Sequence, residues 1–151
     1  MKAVTICCLL IVSCAITTIA QSIGTDFFAG STPCDAWIKS ELKINDSSPC
    51  EFQKWELFFD KDQFTLSVRY GMSKPNTNGF QNDGTSMEVK GSFVIVNPSG
   101  NRKTIYRLSS ASFKSPLMLL KLDNNLFHIL DDKQSLLVGN GGFSYLLNRI
   151  K

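Results

Sequence analysis

Toward the C-terminus the apolar positions fall in four short runs. Across residues 117–149 the chain reads LMLLKLD, NN, LFHILD, DKQ, SLLVGN, GG, FSYLLNR. Each run is shorter than an ordinary helix, and the Asp, Asn and Gly at the breaks supply turn chemistry. The pattern predicts four consecutive antiparallel strands, each lying beside the next. The same rhythm runs upstream. Phe64, Leu66, Val68 and Tyr70 alternate with Thr65, Ser67 and Arg69, as in a half-buried strand. A strand over about 51–59 puts Trp55, Leu57 and Phe59 on one face, and Asp60-Lys61-Asp62 turns the chain. A strand over about 86–96 puts Met87, Val89, Phe93 and Ile95 on one face. Gly91 sits among them, where a barrel strand bends. Asn97-Pro98-Ser99-Gly100-Asn101 is a turn, and a further strand covers about 103–108.

The remaining segments have no strand period. Residues 21–31 show no clear repeat, and Phe27-Phe28 are expected to dock on the body. Thr32-Pro33 offers an N-cap followed by proline at the first helical position. Cys34, Ile38 and Leu42 then recur every four residues with Trp37 beside them, so a short amphipathic helix is predicted over about 33–43. Residues 71–85 are polar, with Pro75, Gly79 and Gly84, and predict a long mobile loop with Phe80 at its tip. Eight strands and one helix make an all-β chain, an antiparallel eight-stranded meander. Such a meander covers its edges by closing into a barrel. At eight strands the interior is filled by side chains or holds one small ligand.

The N-terminus has a different character. Met1-Lys2 precedes an uncharged, largely apolar run over 3–20 that ends in a small residue, as a secretory signal peptide does. Cleavage after Ala20 leaves one β-barrel domain over 21–151. Two other routes compete: lipidation at Cys14, which follows Ile11-Val12-Ser13, and retention of the run as an anchor. Only these two give the protein a membrane association. Cleavage also changes the charge and the cysteine count. Losing Lys2 lowers the formal net charge from +3 to +2, and the basic residues are scattered, with Arg102-Lys103 the one adjacent pair. No nucleic-acid partner is expected. Of five cysteines, Cys34 and Cys50 remain, an even pair that an exported protein is expected to oxidise to a disulfide. Closing a loop of about 17 residues contributes roughly 3 kcal/mol on the chain-entropy model.

At this level of detail a resemblance emerges. Thr32-Pro33-Cys34, Lys54-Trp55-Glu56-Leu57, Lys90-Gly91-Ser92-Phe93-Val94-Ile95, Leu130-Asp131-Asp132-Lys133, Leu137-Val138-Gly139-Asn140 and the ending Phe143-Ser144-Tyr145-Leu146-Leu147-Asn148-Arg149 occur in that order. Together they resemble the small exported β-barrels around the NlpE N-terminal domain, in the versions found in Bacteroidota. The resemblance spans roughly 32–149. It implies a lipocalin-like barrel at the cell envelope (periplasm, outer membrane or secreted), with links to copper tolerance and envelope stress sensing. One element departs from the pattern. The better-studied members carry Cys-x-x-Cys after the proline, whereas Cys34 here is followed by Asp35, Ala36 and Trp37.

Candidate chemistry is sparse. Soft metal ligands would be Cys34, Cys50, Met72, Met87, Met118 and His128, none at ligand spacing, and a disulfide removes both thiolates. No metal site and no cofactor are expected. His128 is the sole histidine, so any serine or cysteine nucleophile needing an imidazole base would have to use it. The bland reading, a packed or surface strand residue, carries more weight, and no catalytic residue is assigned. Gly139-Asn140-Gly141-Gly142 lacks the Lys-Ser/Thr of a phosphate loop and reads as a turn with glycines at positive φ. Asn45-Asp46-Ser47 fits a glycosylation sequon, relevant only in a eukaryotic source. A small apolar ligand inside the barrel would meet Trp55, Leu57, Phe64, Leu66, Val68, Met87, Val89, Phe93, Ile95, Phe143 and Tyr145. The same side chains would serve equally as a dry core. The expected function is non-enzymatic binding by a monomer. An unknown protein partner would meet the Phe80 loop in envelope stress sensing or copper tolerance; alternatively, the barrel carries a small apolar ligand.

Overall fold

The structure, a computed structural model, describes residues 26–97 and 103–151. The signal run, Cys14 and most of the 97–101 turn lie outside them. The described residues form an all-β closed barrel. Its strands are β1 (Asp26–Pro33), β2 (Phe52–Asp60), β3 (Gln63–Gly71), β4 (Thr85–Val96), β5 (Thr104–Ser109), β6 (Leu117–Lys121), β7 (Leu126–Leu130) and β8 (Leu146–Arg149). One helix, α1 (Ala36–Glu41), lies between β1 and β2. Every strand is antiparallel to its sequence neighbour, and β8 returns to β1 through Phe28↔Arg149 and Ala29↔Asn148. Closure leaves no free edge in the sheet.

The strand count is the expected one, but its membership differs. Residues 26–33, where the sequence shows no period, form β1. The residues of β1 that share the inward parity of Phe28 are Asp26, Gly30 and Thr32, so its inner face carries one large apolar side chain and no visible alternation. Gly30 is small because the seam requires it: a Cβ there would lie 2.1 Å from the Leu146 carbonyl oxygen of β8. Conversely, the apolar run 135–140 is not a strand. β7 pairs directly with β8, and the run makes a single bridge, Leu130↔Leu136, leaving Leu136 and Val138 exposed.

Gly91 does turn a corner. Residues of β4 up to Ser92 pair with β3, and those from Ser92 onward pair with β5. A Cβ on Gly91 would meet the Ser109 carbonyl oxygen at 2.1 Å and the Phe64 ring at 2.8 Å.

The core lies inside the barrel. Trp55, Leu57 and Phe59 of β2 meet Phe64, Leu66 and Val68 of β3, Leu119 of β6, Ile129 of β7 and Leu147 of β8, all buried. The helix seals one end, but later than the proline signal suggests. Thr32 and Pro33 belong to β1, and Asp35 is the cap, accepting from the Ile38 N–H at 2.9 Å. Ile38 and Leu42 are fully buried, each contributing roughly 1.5–3 kcal/mol of apolar transfer. The Cys34–Cys50 disulfide ties the entry of α1 to the residues before β2.

Candidate ligand-binding site

The polar groups of the helix end satisfy one another. The Trp55 indole N–H donates to Thr32 Oγ1 at 3.0 Å and to Gln53 Oε1 at 3.1 Å, and both partners are fully buried. Gln53 Nε2 in turn lies 3.3 Å from Cys34 Sγ. The Tyr145 hydroxyl donates to Asp35 Oδ2, and burial, then that contact, pushes the phenol well above its ordinary value. Glu41, also buried, accepts from the Ser115 hydroxyl at 2.6 Å and the Ser115 N–H at 3.2 Å. No buried side-chain polar atom among the described residues lacks a partner. That end is fastened by hydrogen bonds and presents nothing to a ligand.

The opposite end is a mouth. β1 starts there, β2 ends there, and Lys61 turns the chain into β3. A concave cleft of about 260 Å³ opens between Asp26, Phe28, Phe59, Lys61, Phe93, Ile95, Tyr106, Lys121, Asn124 and Phe127. Its floor is a set of rings. Phe59 lies 4.7 Å from Phe93, 5.5 Å from Tyr106 and 6.1 Å from Phe28, while Phe127 lies 4.7 Å from Phe28 and 4.8 Å from Tyr106. Most of these pairs meet edge to face or tilted, the arrangement favoured by ring quadrupoles. The register explains the gathering. Each ring stands at an inward-facing position near the mouth end of its strand, where Phe127 is opposite both Lys121 and Leu147. Asp26 is engaged by Arg149 in an ion pair. Burial first, then the Asp26 charge, raises the Tyr106 phenol above its ordinary value, so its proton stays in place at neutral pH.

A larger groove of about 640 Å³ runs over the outer wall of β2–β4, lined by Lys54, Glu56, Ser67, Arg69, Ser86 and Glu88 among others. It is open and carries both signs of charge. The mouth is the better candidate, being more enclosed and floored by aromatic rings.

Several sequence candidates take other places. Trp55, Leu57, Phe64, Leu66, Val68, Val89 and Tyr145 are at most 2% exposed and pack in the core; none of them lines the mouth, and Val68 also borders the outer groove. Met87 packs partly buried against that core. Phe93 and Ile95 do stand at the mouth. Phe143 is outside the barrel, stacked on Phe52 at 4.6 Å. Phe80 is not a presented tip: it is 7% exposed and stacks on the other face of Phe52 at 4.3 Å. Its loop is correspondingly organised. Ser73 and Phe80 form a bridge, Gln81 N–H donates to Met72 O at 2.9 Å, and the Ser73 N–H reaches Glu51 Oε2 at 3.1 Å. The Ser73 contacts hold the Glu51 carboxyl below its ordinary value.

His128 faces outward on β7, with Nε2 2.9 Å from the Leu137 carbonyl oxygen. That nitrogen therefore carries the proton, and its bond serves the 135–140 segment. Met118 belongs to a small outer cluster with Ile105, Leu120 and Leu130 rather than to the interior. The 139–142 turn forms without positive φ at its glycines: Asn140 Oδ1 accepts from the Gly142 and Phe143 N–H groups, both at 2.9 Å. Gly139 is needed for close approach instead, since a Cβ there would lie 2.2 Å from Phe143 O. Among the described residues no three His, Cys, Asp or Glu side chains converge as a metal site requires.

Sequence reasoning missed Phe28, Tyr106, Phe127, Lys61 and Lys121 as one site. The available signal was their position: all lie at strand ends or turns remote from the helix. Compared with protein-family models, curated proteins and solved structures, the chain matches none.

Proposed function

We propose that this protein acts by binding, without catalysis, and that it holds a small apolar molecule in the aromatic mouth of the barrel. The observation that carries this reading is the 260 Å³ cleft floored by five rings, set above a core of buried apolar side chains. Its size lies under the roughly 300–1,000 Å³ of drug-sized sites, so the ligand is a one- or two-ring molecule rather than a long lipid. The signal-like N-terminus supports action outside the cytoplasm, as a monomer at the envelope or secreted. Stress sensing and copper tolerance rest on the resemblance alone.

The test is calorimetric titration of the exported protein with 2-naphthalenemethanol, a neutral two-ring probe. The expected result is saturable binding that Ile95→Trp, a rim substitution at a half-exposed position, weakens severely. Unsaturable uptake, or binding indifferent to Ile95→Trp, contradicts the proposal.

A further inference from the structure

The charges of the mouth narrow the ligand further, an inference that rests on the binding reading above. Of the charged residues lining the cleft, Asp26 is engaged by Arg149, whereas Lys61 and Lys121 have no carboxylate within 4 Å among the described residues. The neighbouring acids are directed elsewhere. Asp60 has the outward parity of β2, Asp123 Oδ1 accepts from the Asn125 N–H, and the Asp62 carboxylate lies more than 4 Å from either ammonium. Lys121 is half-buried and opposite Phe127, with its Cα at inward parity. Burial against the rings strips Lys121 of part of its hydration without supplying a counter-ion, and an anion arriving there supplies one.

A cage of rings could instead take a cation through its π faces. Two observations oppose that. The one carboxylate that could support a cation is committed to Arg149, and two ammonium groups already stand at the rim. We propose that the mouth selects molecules with an apolar one- or two-ring body and one anionic head, such as an aromatic carboxylate, the body resting on Phe59, Phe93 and Tyr106 and the head meeting Lys61 and Lys121.

The experiment compares three probes of one shape on the exported protein: 2-naphthoate, 2-naphthalenemethanol and 2-naphthylmethylamine, in wild type, Lys61→Gln, Lys121→Gln and the double variant. Each ammonium contact at a partly exposed site is worth about threefold, so naphthoate should bind about tenfold tighter than the alcohol. The amine should bind weakest. Each single variant should lower the ratio of naphthoate to alcohol affinity about threefold, and the double variant should abolish the preference. Raising salt from about 20 mM to about 500 mM should shrink it. Near-ultraviolet dichroism checks that these surface variants remain folded. Equal affinity for naphthoate and the alcohol, or tighter binding of the amine, overturns the anionic head and leaves mouth binding standing. A naphthoate preference that survives in the double variant overturns the assignment to the two lysines. Failure of every probe to bind saturably overturns this inference together with the binding reading beneath it.

Discussion

At the helix end of the barrel, Trp55, Thr32 and Gln53 satisfy one another, Asp35 both caps α1 and receives the Tyr145 hydroxyl, and a disulfide anchors the entry of the helix. At the mouth, five rings meet and the rim is crossed by one ion pair, Asp26–Arg149, whose partners are each about 40% exposed. Hydrogen bonds and a covalent bridge specify geometry; ring contacts and an exposed ion pair do so weakly. The difference teaches how a small barrel divides its ends: one holds the fold together, and the other is left concave.

Substitutions at the two ends should therefore differ in kind. The largest effect is expected for Trp55→Ala, which opens a cavity and strips two buried acceptors of their donor. It should cost about 3–5 kcal/mol in urea unfolding. Next is removal of the disulfide by the double substitution Cys34→Ala, Cys50→Ala, at about 3 kcal/mol, with 2-naphthalenemethanol affinity unchanged while the protein stays folded. A change in affinity as large as the change in stability would show that the two ends are not separable.

Tyr145→Phe is smaller, about 1 kcal/mol near neutral pH. It also has a pH signature. The folded phenol titrates above the unfolded one, so its contribution is full below pH 10 and is lost as the pH climbs beyond that. Between about pH 8 and about pH 11, wild type should lose more stability than Tyr145→Phe does; parallel losses would remove the Asp35 contact from the account. Ile95→Trp is the smallest in stability, within about 0.5 kcal/mol, yet the largest in binding.

The unequal legibility of the two ends follows from how each is encoded. β3 was plain because Phe64, Leu66, Val68 and Tyr70 alternate strictly with polar residues. Gly91 reads as a corner because a glycine interrupting the run of Met87, Val89, Phe93 and Ile95 in β4 marks a bend there. β1 is illegible because the Gly30 seam and buried Thr32 erase its alternation, and the 135–140 run misleads because Leu136 stays exposed on a single bridge while Leu137 packs against the core without strand pairing. The residues of the mouth are harder still. Phe28, Phe59, Phe93, Tyr106 and Phe127 come from five strands, and only barrel closure and shear bring their rings together. Core and cleft residues share the same inward parity, so periodicity cannot separate them. Depth along the barrel axis does.

The most direct test of this division is a two-dimensional proton–nitrogen NMR titration with 2-naphthoate, following the backbone amides and the Trp55 indole together. The account predicts saturable shifts at Phe59, Lys61, Phe93, Tyr106, Lys121 and Phe127, with the Trp55 indole stationary. Shifts centred on Trp55, or on Lys54, Arg69 and Glu88 of the outer wall, would contradict it.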